Sequence, residues 1–180
     1  MSADGVPAPG QTIGPFFGYA LPYDGDNLLV PPARPGAMRL HGLVLDGAGA
    51  PVPDALVELW QTDGEGNVVR EPGSLQRNGY TFTGWGRAAT VATGYYWFST
   101  VTPGSREGAA PYFSLTVFAR GLLDRLFTRA YLPGATDAFL ASVEPERRAT
   151  LMAVPDESGY RFDIRLQGED ETVFLAYPRH

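Results

Sequence analysis

Two histidines, His41 and His180, are the only imidazoles in the chain, and cysteine is absent. Disulfides, thiolate metal sites and cysteine nucleophiles are therefore excluded together. An activity that needs a histidine cluster within this chain has too few residues to build it. His41 lies between Leu40 and Gly42 in a strand-like stretch, where an exposed or internally satisfied structural role is expected. Ser99 and Ser114 have no histidine and acid partners that would turn either into a nucleophile. Asp63, Glu65 and Glu71 form a loose acidic loop without the ordered spacing of a calcium loop. Asp137, Glu144 and Glu146 read as the solvated side of a helix. Trp60, Trp85 and Trp97 read as core or interface aromatics rather than cofactor platforms.

Charge narrows the partners. Fourteen basic residues stand against 20 acidic ones, a net charge of −6, which disfavours nucleic acid and anionic membrane surfaces. Apolar residues make up 44% of 180, enough for one domain with a sizeable core. No apolar run approaches the roughly 20 residues of a spanning helix. The opening Met-Ser-Ala-Asp-Gly is neither basic nor apolar, so no leader peptide is expected and a cytoplasmic location is the default.

The elements that position these residues follow from periodicity. Residues 1–36 are rich in proline and glycine and read as an extended N-terminal arm without its own core. A single β-rich domain over 37–180 follows. Strands are expected over 38–46, 55–60 and 112–119, with a hairpin of 86–91 and 95–100 around Thr93-Gly94. Residues 122–131 are short and apolar. Segments 62–79 and 103–111 read as loops. The best helical signal covers 136–152, with Pro145 splitting it or starting a new helix. A terminal hairpin is expected from 160–166 and 172–176 around Gly168-Glu169-Asp170. Many short strands and little helix point to a β-sandwich with a small peripheral helical segment.

Several motifs in order resemble one family. Leu40-His41-Gly42-Leu43-Val44-Leu45-Asp46, Gly49-Ala50-Pro51-Val52 and Ala55-Leu56-Val57-Glu58-Leu59-Trp60-Gln61 are similar to the signature of intradiol ring-cleavage dioxygenases. Gly86-Arg87, Gly94-Tyr95-Tyr96-Trp97-Phe98, Val101-Thr102-Pro103-Gly104 and Phe127-Thr128-Arg129-Ala130-Tyr131 continue the pattern. The arm segment Gly10-Gln11-Thr12-Ile13-Gly14-Pro15-Phe16-Phe17 resembles that of the non-catalytic chains in the family's two-chain, protocatechuate-cleaving branch. So do Phe118-Ala119-Arg120-Gly121 and Glu146-Arg147-Arg148-Ala149.

The resemblance implies a mainly β fold, the intradiol sandwich. It also implies that catalytic relatives hold non-haem Fe(III) with two tyrosinates and two histidines, hard anionic and neutral donors that suit ferric iron. Aligned without gaps, the histidine pair falls on Tyr112 and Ser114, and the tyrosines on Val68 and Arg106. A one-residue gap at Pro111 places the pair on Phe113 and Leu115 instead. A family arginine falls on Ala109 or Ala110, and a glutamine on Arg129. The donors are thus lost, and no metal ligand or catalytic residue is expected in this chain. Arg106 and Arg129 either set fixed positive charge near the family's cavity, suited to a carboxylate, or are ordinary ion-pairing surface residues.

The implied role is structural. An obligate homologous β chain would carry the Fe(III) and bind protocatechuate and O2, opening the ring to 3-carboxy-cis,cis-muconate. Thr12, Gly14 and Pro15 of the arm, with Arg129, are the expected substrate-binding contributions of this chain. The competing reading is a free-standing binding module on the same sandwich. A self-sufficient dioxygenase would require the missing ligands.

Overall fold

Alternating side chains over residues 38–45, 85–89 and 112–118 explain the layered architecture: one side of the pleat is buried and the other less so. The computed structural model describes residues 16–70 and 77–177. One turn of helix, α1 (Phe17–Ala20), precedes β1 (Met38–Leu45), β2 (Leu56–Trp60), β3 (Trp85–Ala89), β4 (Tyr95–Thr100), β5 (Tyr112–Phe118) and β6 (Leu126–Tyr131). Two short helices follow, α2 (Ala138–Ser142) and α3 (Pro145–Arg148), with a 3-10 turn over Ala149–Leu151. The chain then forms β7 (Val154–Asp156), β8 (Gly159–Arg161) and β9 (Ile164–Arg165).

These strands make two sheets. The first runs β4-β1-β8-β7, with β9 also on β1, and the second runs β3-β2-β5-β6. Leu40, Val44 and Phe98 from the first sheet meet Leu59, Phe113, Leu115 and Val117 from the second in one core. The mainly β sandwich expected from the sequence is the observed fold. Among the described residues no helix is long and apolar enough to cross a membrane.

Residues 16–36 pack against the sandwich at several points, with Leu29 and Val30 both buried. Leu29 is buried in the main core, and its N–H donates to the Ser99 carbonyl at 2.8 Å. Pro145 starts a helix, as expected, because proline suits the first helical position.

The expected terminal hairpin of 160–166 and 172–176 is reduced to its turn and one backbone bond, Thr172 N–H to the Arg165 carbonyl at 3.0 Å, and 172–176 forms no strand. The regular hairpin in this region is β7–β8, turned at Glu157-Ser158, where the Asp156 carboxylate accepts the Ser158 and Gly159 amides at 2.8 and 3.0 Å. Phe162 and Ile164 are apolar enough to be drawn into the core, so β8 and β9 lie parallel on the open edge of β1. Residues beyond Thr172 cross to β6, where Leu175 N–H donates to the Phe127 carbonyl at 2.8 Å. Gly42 permits this closure. A Cβ there would collide with the Phe162 backbone.

Candidate functional site

The outward side of the second sheet gathers the residues of interest. Register places Trp60 of β2 opposite Ser114 of β5, and Ser114 opposite Arg129 of β6. One pleat along, Tyr112 faces Tyr131. Phe113 and Leu115 alternate inward and are fully buried. The gapped alternative thus points into the core, where no cavity residue can sit, while Tyr112 and Ser114 share the outward face.

Beside Tyr112 opens a cavity of about 330 Å³, with Trp60, Thr62, Gly104, Arg106 and Ala109–Ala110 among its walls. Two loops shape it by close backbone approach. Thr62 Oγ1 donates to the Gly104 carbonyl at 2.9 Å, and Gly104 N–H donates to the Asp63 carbonyl at 2.7 Å. Gly66 adopts φ +88, and a Cβ on it would strike the Ser105 carbonyl. Glycine is the residue that tolerates both conditions. Asp63 orders its own loop, with its Oδ1 accepting the Glu65 and Asn67 amides at 2.9 and 2.8 Å. Those hydrogen bonds, the Asn67 amide first, hold its carboxyl below the usual carboxylate range.

Arg106 lines the cavity, but its guanidinium pairs with Glu107 at 2.6 Å in an exposed contact. The ordinary ion-pair alternative describes it. Arg129 behaves differently. Its guanidinium carbon stands 4.4 Å from the Tyr112 ring centroid and 4.9 Å from that of Phe139 on α2. Its Nη1 donates to the Tyr131 hydroxyl at 3.0 Å. Burial opposes the charge, yet the Tyr131 hydrogen bond and nearby phenols outweigh it and hold Arg129 above the usual guanidinium value. Burial pushes the Tyr131 phenol up to about 12 despite the pull of Arg129.

Val68 is half-buried on the loop beyond Asn67 and is not among the described residues lining the cavity. The structure therefore brings Arg106, Tyr112, Ala109 and Ala110 together at the cavity. It stacks Arg129 on Tyr112 and leaves Val68 apart. Thr12, Gly14 and Pro15 lie outside the described residues. Sequence reading missed Phe139 and Tyr131 as the partners of Arg129. The parity of β6 could have placed Arg129 and Tyr131 on one face, but nothing local marks the approach of α2.

This donor set does not fit ferric iron. A serine hydroxyl, a valine and an ion-paired arginine stand at three of the four implied positions. The remaining phenol, Tyr112, lies beneath a guanidinium whose charge would oppose a cation. Among the described residues, no three of His, Cys, Asp or Glu gather as a metal-binding group.

Comparison with known proteins places the chain. A family model described as dioxygenase matches residues 13–168. The protocatechuate 3,4-dioxygenase alpha chain of Burkholderia cepacia is 40% identical over 93% of this chain and 95% of its own. The beta chain from the same organism is 33% identical, over 73% of this chain and 64% of its own. Among solved structures, a dioxygenase domain from Streptomyces sp. SirexAA-E shares the fold with a TM-score of 0.58 at 23% identity. That match covers 79% of this chain and 87% of the other.

Proposed function

This chain belongs to the intradiol dioxygenase family, and from that premise we propose that it is the non-catalytic alpha subunit of a protocatechuate 3,4-dioxygenase. The observation that carries the reading is the pairing of near full-length similarity to an alpha chain with an outward sheet face that lacks the family's donors. Val68, Arg106, Tyr112 and Ser114 stand where the resemblance implies two tyrosinates and two histidines.

On this reading the iron resides in a homologous beta chain, where it activates the ortho-diol towards O2. The present chain supplies walls rather than donors. Thr12, Gly14 and Pro15 close one side of the partner's pocket, excluding bulk water and selecting ring shape. Arg129 offers a preordered guanidinium to an aromatic carboxylate: its stack on Tyr112 and Phe139 and its bond to Tyr131 fix the fork before any ligand arrives. The assembly works in the cytoplasm.

The test is co-expression with the homologous beta chain, followed by separation and iron analysis of each chain. Equimolar chains with iron confined to the partner support the proposal. Stoichiometric iron in this chain, or activity without a partner, would end it.

A further inference from the structure

Asp26, Asn27, Leu28, Leu29 and Val30 belong to none of the strands β1–β9, yet they lie where both sheets end. β3 and β4 are consecutive in the chain but sit in different sheets, and each is the outermost strand of its own. An outer edge carries unpaired N–H and C=O groups and is a template for unwanted strand pairing.

Residues 26–30 answer both edges at once. On β4, the Ser99 N–H donates to the Asn27 carbonyl at 3.0 Å, and the Ser99 carbonyl accepts the Leu29 and Val30 amides at 2.8 and 3.2 Å. Asn27 Nδ2 donates to the Trp97 carbonyl at 3.3 Å. On β3, the Arg87 N–H donates to the Asp26 carbonyl at 2.9 Å. Gly86 allows this approach, since a Cβ there would collide with the Leu29 side chain.

One side chain ties the arrangement together. Arg77 Nη1 donates to the Leu28 carbonyl and to Thr83 Oγ1 at 3.1 and 3.0 Å. Its Nη2 donates to the Asp26 and Trp85 carbonyls at 3.1 and 2.8 Å. The planar fork thus grips two carbonyls of 26–30 together with the entry to β3. All four acceptors are neutral oxygens. Arg77 itself stands outside both sheets, beside a small turn in which Asn78 Oδ1 accepts the Tyr80 and Thr81 amides, each at 2.8 Å. This loop can shift without breaking a strand.

We propose that residues 26–30 are a strap that opens and closes as one unit over the outer edges of β3 and β4, with Arg77 as its latch. The proposal concerns this chain alone and does not depend on the alpha-subunit reading. Closed, the strap withholds two strand edges from other chains. When the latch lifts, the hydrogen-bonding groups of Arg87 and Ser99 are freed together while the interior strands stay paired. Such an opening lies between terminal fraying and global unfolding.

The test is hydrogen exchange on the full-length chain in its purified assembly, wild type against Arg77→Met. The amides of Leu29, Val30, Arg87 and Ser99 are expected to exchange about tenfold faster in the variant, while those of Leu59 and Leu115 in the interior of the second sheet keep their wild-type rates. Thr83→Val removes one acceptor of the latch and should speed the same four amides about threefold. It serves in place of Arg77→Met if that variant fails to fold. Wild-type rates at the four amides in either variant overturn the proposal. Equal acceleration at Leu59 and Leu115 also overturns it, by making Arg77 a contributor to global stability only. Acceleration at Leu29 and Val30 without Arg87 would show that the two edges open separately, and the strap would not be one unit.

Discussion

Arg129 stands 4.4 Å over the ring of Tyr112, a cation on the phenol at one of the positions where the resemblance implies a metal donor. The contact joins adjacent strands, and α2 closes it from outside through Phe139. Replacing Arg129 by Met keeps the stem but removes the cation and the hydrogen bond to Tyr131. A partly exposed cation–π and hydrogen-bond set of this kind contributes about 1–2 kcal/mol. Arg129→Met should lower the thermal midpoint of the assembled enzyme by a few degrees. It should also raise KM for protocatechuate while leaving iron content unchanged. A Tm and KM equal to wild type would remove Arg129 from both roles.

The isolated chain is expected to be colourless and to bind no stoichiometric iron, because Val68, Arg106 and Ser114 supply no suitable donor. Metal analysis and visible spectroscopy after ferric loading provide the measurement. A phenolate-to-iron charge-transfer band in this chain alone would contradict the assignment of donors to the partner.

Phe16, Tyr19 and Tyr80 are each more than three-quarters exposed. Expressed alone, the chain should aggregate or elute as broad oligomers, whereas co-expression should give equal amounts of two chains in one particle. Size-exclusion chromatography distinguishes these outcomes. A monodisperse lone monomer would count against an obligate complex.

On the proposed reading Gly14 closes part of the partner's pocket, and Gly14→Val adds methyl groups to that wall. kcat/KM for protocatechuate should then fall by up to about 100-fold, since a reactant displaced by about 1 Å can lose that much rate. Pro15→Ala should act more weakly, by loosening the arm. Asp63→Asn, in the acidic loop, serves as a control for surface charge and should leave the kinetics close to wild type. Oxygen uptake with iron quantified per beta chain is the assay.

His41 Nε2 and Asp156 Oδ2 are 2.7 Å apart, joining β1 to the β7–β8 hairpin. The Ser158 hydroxyl, then His41, and then the Ser158 amide hold the Asp156 carboxyl down to about 2. A depressed folded value means that this contribution is complete above the ordinary carboxyl value of about 3.9 and fades as pH falls towards 2. The gap in Tm between wild type and Asp156→Asn should shrink as pH falls from about 4 towards 2. A gap that widens over that acid range would reverse the assignment.

Much of the sandwich was legible because strand burial writes itself as alternation. Residues 112–118 show this, with Phe113, Leu115 and Val117 buried and their neighbours facing out. The proline at 145 marked a helix start for the same local reason. The end of the chain was not legible. Residues 160–166 carry a strand pattern, but pattern cannot say whether the partner is the next segment or the open edge of β1. Parallel pairing is decided by burial of Phe162 and Ile164, a tertiary matter. At the site, the donor positions rest on the resemblance alone, whereas the stack of Arg129 against Phe139 and the hydrogen bond of Arg87 to Leu21 join residues from separate elements that no local pattern connects.

The second edge of β1 remains to be covered long after β1 is made. Leu43 N–H finds the Asp163 carboxylate 120 positions later in the chain, in the segment that also brings β8 and β9 to that edge. During synthesis, a strand with Leu40, Leu43, Val44 and Leu45 must wait with its hydrogen-bonding groups open until nearly the whole polypeptide has left the ribosome. Closure of the first sheet is therefore a late, high-contact-order event. Premature truncation anywhere before residue 159 would leave an uncovered apolar edge, making incomplete chains substrates for chaperones and proteases rather than partners in assembly.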